Sequence, residues 1–249
     1  MSKKQESKKQ VVAASSKDIA DPKLNFDLAD YQPTDETIDD IAFPRIIPMN
    51  PTSRMVNEGQ AVFGTLVDQS NGAVLATADK PLAIVPVYIQ KTYMVSKKVG
   101  AKFEFVRVEP FDVAGRPYEY DALDGDRYKN ELCYNVYCLL EGDIDIPYML
   151  TFKGMSVRSG RQIWTLMFRR NLVAGIPPFG RIIHVTPRKD KNPQGVYVVL
   201  DVKAGEKING PILRTADEWF MTLRRSEKHL VDKTNSSEVS DDVVDHVEC

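Results

Sequence analysis

The sequence predicts a mostly β protein with two helices, an OB-like Greek-key barrel, with a sandwich as the alternative, held between disordered acidic ends. Three observations lead there. Runs rich in Val, Ile, Tyr and Phe alternate with turn-like segments, one helix-period segment falls late among them, and both termini are too polar to pack. With 249 residues, 43% of them hydrophobic, the chain has ample material for one core.

The strand runs are QAVFGTLV (60–67), LAIVPVYIQKTYMV (82–95), KFEFVRVE (102–109), ELCYNVYCLL (131–140), DIPYMLTF (145–152), GRIIHVTP (180–187) and GVYVVLDV (195–202). They are rich in the β-branched and aromatic residues that suit a pleated, half-buried surface. Asn71-Gly72, after the first run, favours a tight hairpin turn. The stretches VSKKVGAK, PFDVAGRPYEYDALDGDRYKN, EGD and PRKDKNPQ read as loops.

One helix opens after Ser156 as N-cap and closes at Gly175, with Val157, Trp164, Phe168 and Leu172 near one face. Its other surface carries Arg158, Arg161, Arg169 and Arg170. A second helix starts at Thr215, where Glu218 completes a capping box, and buries Trp219, Leu223 and Leu230.

Charge is segregated along the chain. Lys and Arg total 33 against 35 Asp and Glu, which leaves −2 overall. Residues 1–42 hold 6 basic and 9 acidic groups, and residues 232–249 hold 1 and 6. Residues 151–231, in contrast, hold 15 basic and 6 acidic groups. The expected organisation is therefore a disordered acidic arm (1–42), an OB-like domain (43–231) and a disordered acidic tail (232–249), because the ends lack the apolar surface to offset ordering entropy.

Motifs for enzymatic chemistry are sparse, and neither a cofactor nor a metal is expected. Gly154 to Gly160 departs from a phosphate loop in its spacing and in the Arg-Gln after it. Cys133 and Cys138 face opposite sides of one strand, so they cannot share a metal. His184, His229 and His246 have no ligand spacing, and Asp121, Asp124 and Asp126 miss the alternation of a calcium loop. One catalytic pattern stands as a rival: Asp190 followed by Asp201-Val202-Lys203 mimics the acid…acid-x-lysine set of metal-dependent nucleases. No run approaches ~18 apolar residues, so no spanning helix is expected. With three cysteines the chain suits a reducing compartment, the cytoplasm, which for a viral protein is that of the host.

What the chain offers is cations interleaved with aromatics. Strand alternation puts Phe103, Phe105 and Arg107 on one face and Val106 and Val108 on the other. Lys91 and Tyr93 share a face, and Tyr137 lies with Asn135 opposite the row Leu132, Tyr134, Val136 and Leu140. Rings stack on unpaired bases and cations hold the phosphates. The expected stacking residues are Tyr93, Phe103, Phe105 and Tyr137. The expected phosphate contacts are Lys91, Lys97, Lys98, Arg107, Lys153, Arg158, Arg161, Arg188, Lys189 and Lys191. Base-specific readout has no signature here.

In FPRIIPMNP (43–51), PLAIVPVYIQKTYMVSKK (81–98), YMLTFKGMSVRSGRQIWTLMF (148–168) and the acidic tail, the chain resembles phage-encoded single-stranded DNA-binding proteins with an OB-type barrel. The resemblance implies non-sequence-specific binding of single strands in replication and recombination. It also implies contacts from the tail, with Asp241, Asp242, Asp245 and Glu248, to viral replication proteins. One departure is the ending His246-Val247-Glu248-Cys249, where such tails often finish in an aromatic or apolar residue. The expectation is a non-enzymatic single-stranded DNA-binding protein, compatible with a homo-oligomer, whose tail competes with DNA for the basic surface. The alternative outside this class is a protein-binding or virion structural β-domain.

Overall fold

The computed structural model describes residues 43–226, apart from positions 124 and 194. The expected disordered arms, the tail carboxylates Asp241, Asp242, Asp245 and Glu248, and Leu230 lie outside the described residues. The described part is mostly β. Its strands are β1 (Arg45–Pro48), β2 (Leu66–Asp68), β3 (Val74–Ala76), β4 (Leu82–Val99), β5 (Lys102–Pro110), β6 (Glu119–Asp121), β7 (Arg127–Leu140), β8 (Asp143–Phe152), β9 (Arg181–Asn192) and β10 (Gly195–Lys207). Three helices join them among the described residues: the single turn α1 (Arg54–Asn57), α2 (Val157–Thr165) and α3 (Gly210–Arg225).

All ten strands belong to one sheet, ordered β10-β9-β4-β7-β8-β1-β2-β3, with β5 added beside β4 and β6 beside β7. The meander β4-β7-β8, the helix after β8 and the hairpin β9-β10 make the OB-like frame, and β9 returns to pair with the start of β4 through Leu82–Ile84 and Ile183–Val185. β1 runs parallel to β8, and the β2-β3 hairpin it leads into lies against β9, so the sheet curls round on itself. Gly72, at φ 73°, makes the predicted turn between β2 and β3, where only a residue without Cβ sits unstrained. The seam at β10 is closed by side chains. Val198 N donates to Asn50 Oδ1 at 2.9 Å, and Leu200 N donates to Ser156 Oγ at 3.0 Å. These bonds satisfy backbone donors that an open edge would leave bare.

Two apolar layers hold the sheet. The interior packs Ile46, Leu66, Ile84, Val136, Leu150, Ile183 and Leu200, and it is plugged by Ile163 of α2 and by Met167 just after it. On the outer face α3 sets Ala216, Phe220 and Leu223 against Val85, Val87, Tyr88, Tyr137, Leu139 and Met149.

Gly160 lets α2 enter: a Cβ there would stand 2.7 Å from Tyr134 Cβ and 3.0 Å from Phe152 Cβ, neither of which can swing aside. Ala usually stabilises a helix, but this overpacking outweighs propensity. Gly160→Ala is expected to cost about 1–2 kcal/mol in denaturant unfolding; equal or greater stability would show that α2 stands off the sheet.

Several expectations change. Ser156 ends a short 3-10 turn (Gly154–Ser156) with helical backbone, and its hydroxyl bonds β10 instead of capping α2. The helix turns π over Leu166–Asn171, which rotates the next residues about the axis, so Leu172, expected on the apolar face, is 53% exposed. α3 begins at Gly210 with Pro211 in its first turn, ahead of the predicted Thr215 cap, and Trp219 is only partly buried. Lys97 and Lys98 lie on β4, and Arg188, Lys189 and Lys191 lie on β9, where loops were predicted. Their polar character hid strands whose backbone groups are fully laddered to a neighbour.

Candidate nucleic-acid interface

Beyond the barrel, β5, the far half of β4, the near half of β7 and β6 form a four-stranded extension. Registers decide which side chains share its faces. Phe103 pairs with Lys98 and Phe105 with Ser96, and then a bulge at Val106 brings Arg107 opposite Val95. One extra residue sends everything after it to the other face. Arg107 therefore does not accompany Phe103 and Phe105, as plain alternation predicted. It sits across the sheet and pairs with Glu109, which also binds Arg116.

The outer face of the extension carries Phe103 and Phe105, both half-buried, with Lys98 exposed directly opposite Phe103. Lys129 lies opposite Ser96 on the same face, its ammonium 5.4 Å from the Phe103 ring centroid and 6.0 Å from that of Tyr118, a ring 60% exposed. Glu131 stands 3.6 Å from Lys129 and tempers its charge. Lys153, exposed just past β8, reaches this side too, donating to Met94 Sδ at 3.6 Å. Two bonds pin the segment bearing Tyr118: Asn130 N to Tyr118 O, 2.7 Å, and Asn130 Nδ2 to Pro117 O, 2.9 Å. The face thus presents solvent-accessible rings bordered by cations, the arrangement that stacks and neutralises an unpaired strand.

Two predicted stacking residues are sealed. Tyr137 is 1% exposed and packs edge-on to Phe43, with centroids 5.3 Å apart at 75°, beneath the α3 layer. Its row looks outward from the barrel as predicted, but α3 covers it. Tyr93, 6% exposed, stacks on Phe111 at 5.7 Å and 22°, with the Arg116 guanidinium 5.3 Å from its centroid. Neither ring meets a base without unpacking its neighbours.

The remaining cations form two further groups. On the inner side of the sheet, the Lys91 ammonium lies 4.4 Å from the Trp164 ring centroid and 4.9 Å from that of Phe111. Burial, and then the Arg161 guanidinium, hold its pKa below the ordinary lysine value. Arg158 and Arg161 are exposed on α2. On β9 alternation splits the predicted set. Lys189 and Lys191 are exposed, with the Lys189 ammonium 4.6 Å over Phe63. Arg188 points the other way and binds Asp201 at 2.9 Å and Asp190 at 3.3 Å. Those two acids belong to the nuclease-like pattern, so an arginine sits where a metal would have to. Lys97 is paired with Asp126. Among the described residues no group of three His, Cys, Asp or Glu is placed to hold a metal, and no helix is long and apolar enough to cross a membrane.

Lys129, Tyr118, Phe111 and Phe63 join these groups without having been picked from the sequence. Each meets its partner across strand pairings or loop contacts, which leave no local signal.

None of the curated proteins and none of the solved structures compared with the chain matches it. A family model, described as Pam3 phage gp34-like protein, matches residues 26–229, a span that takes in every strand and helix described above. The chain belongs to the Pam3 phage gp34-like protein family.

Proposed function

We propose that this protein binds single-stranded DNA without sequence preference, by stacking bases on exposed rings and neutralising phosphates with flanking cations. The observation that carries the reading is the outer face of the extension, where Phe103, Phe105 and Tyr118 stand accessible beside Lys98 and Lys129. In OB folds the second and third strands and the loops after the first and fourth are the surfaces that take oligonucleotides. Here the insertion after the first barrel strand supplies the aromatic face, and the β9-β10 hairpin supplies Lys189 and Lys191. Membership of a phage family, together with the resemblance of the sequence, supports a role in phage DNA replication and recombination inside the host cell. In this reading the protein needs no cofactor and is not an enzyme. The tail, net −5 from one basic and six acidic residues, competes with the strand for the cations and offers phage replication proteins a docking segment.

Exposed Leu172 and Val173, the latter 91% accessible, favour a second reading in which the domain meets protein. Fluorescence titration of the full chain with oligo-dT separates the two. Strand binding should quench emission, with log affinity falling against log salt by about 0.7 for each phosphate neutralised. A chain lacking residues 232–249 should bind more tightly, most visibly at low salt. No spectral change at low salt and micromolar protein would overturn the strand-binding reading.

A further inference from the structure

Most cations on the extension have a carboxylate beside them: Lys97 has Asp126, Arg107 and Arg116 share Glu109, Arg127 has Glu119, and Lys129 has Glu131. Lys91 and Arg161 are different. Neither makes an ion pair among the described residues, and the Arg161 guanidinium is close enough to act on the Lys91 ammonium. The fold itself forces them together. Gly160 draws α2 onto Tyr134, and Tyr134 is the register partner of Lys91, so the next residue of the helix, Arg161, arrives beside the lysine. One turn on, Trp164 supplies one ring face against the ammonium, and Phe111 supplies another. The rings orient the ammonium without discharging it. A partly buried ammonium beside an exposed guanidinium, with no carboxylate among the described residues ion-paired to either, makes a site whose missing component is an anion.

We propose that Lys91 and Arg161 jointly hold one phosphate group, walled by Trp164 and Phe111. This rests on the strand-binding reading for the source of that group, a phosphodiester of the bound strand. The same chemistry would accept a free phosphate. The guanidinium offers a planar fork for the two non-bridging oxygens, and the ammonium adds a point charge beside one of them. The contact lies on the inner side of the sheet, apart from the rings on the outer side, so it adds a second place along the path of a strand.

The test uses the full chain with Trp219→Phe, which leaves Trp164 as the sole tryptophan. It is titrated with inorganic phosphate and, separately, with oligo-dT. Trp164 emission should respond to both probes. Lys91→Gln and Arg161→Gln should each weaken oligo-dT about tenfold and lower the salt slope by about 0.7, while Lys91→Arg retains most of the affinity. Arg161 is exposed, so its variant keeps the fold even where Lys91→Gln does not. Oligo-dT affinity and slope unchanged in the Arg161 variant, with Trp164 silent to phosphate, would overturn the site while leaving strand binding intact. If oligo-dT fails to bind the parent chain but phosphate moves Trp164 in an Arg161-dependent way, the site stands as a free-phosphate site and the strand-binding reading falls.

Discussion

The double variant Phe103→Ala/Phe105→Ala should bind oligo-dT at least about thirtyfold more weakly than the parent chain while unfolding at nearly the same temperature. The estimate comes from a base stacked on each ring, worth ~1–3 kcal/mol apiece, so that even a combined loss of about 2 kcal/mol gives that factor. Both rings are half-buried on an outward face, and neither belongs to the two packed layers, so little apolar contact is lost with them. Phe103→Tyr/Phe105→Tyr keeps a π-face at each position and should bind within a few fold of the parent. The salt slope should be unchanged in both variants, because no cation is removed. Wild-type affinity in the alanine variant, measured by anisotropy on labelled oligo-dT, would show that the strand does not lie on this face.

Tyr137→Ala should do the opposite. Its ring fills the layer between β7 and α3, against Phe43 and Tyr88, with 1% of its surface accessible. Truncating a large buried aromatic leaves a cavity and costs about 3–5 kcal/mol. Unfolding by heat or urea should shift accordingly, while the fraction that stays folded binds oligo-dT as tightly as the parent chain. A stable Tyr137→Ala protein with impaired binding would mean that the ring is a stacking surface after all and that α3 is displaced when the strand binds. The pair of variants thus separates an aromatic that packs from aromatics that are free to stack.

Much of the fold was legible because its signals are local. Runs of Val, Ile, Tyr and Phe marked most of the barrel strands, although of QAVFGTLV (60–67) only Leu66 and Val67 are strand. Asn71-Gly72 marked a hairpin turn, and the change of period after Ser156 marked the helix that plugs the barrel. Alternation also sorted 131–140 into its two rows, with Tyr134 and Val136 in the interior and Tyr137 outside it. Where the expectations failed, the deciding contact was distant. The outer row is buried because α3, some eighty residues later in the chain, lies across it. Arg107 left the face of Phe103 and Phe105 because β5 bulges against β4 at Val106, and residue type alone does not announce a bulge. Arg188 parted from Lys189 and Lys191 because what read as a basic loop is a strand, and a strand alternates.

The composition of the candidate site divides the same way. Side-chain chemistry and charge segregation were enough to say that the chain brings cations and rings to its surface, since both are properties of single residues. Which ring is accessible, and which cation is already satisfied by a carboxylate, depended on packing between segments far apart in the chain. Lys97, Arg107 and Arg188 found acidic partners, whereas Lys91 and Arg161 met each other. The physical reason is that exposure and ion pairing are properties of neighbours in space. Strand register and the seating of α2 and α3 choose those neighbours after the local elements have formed.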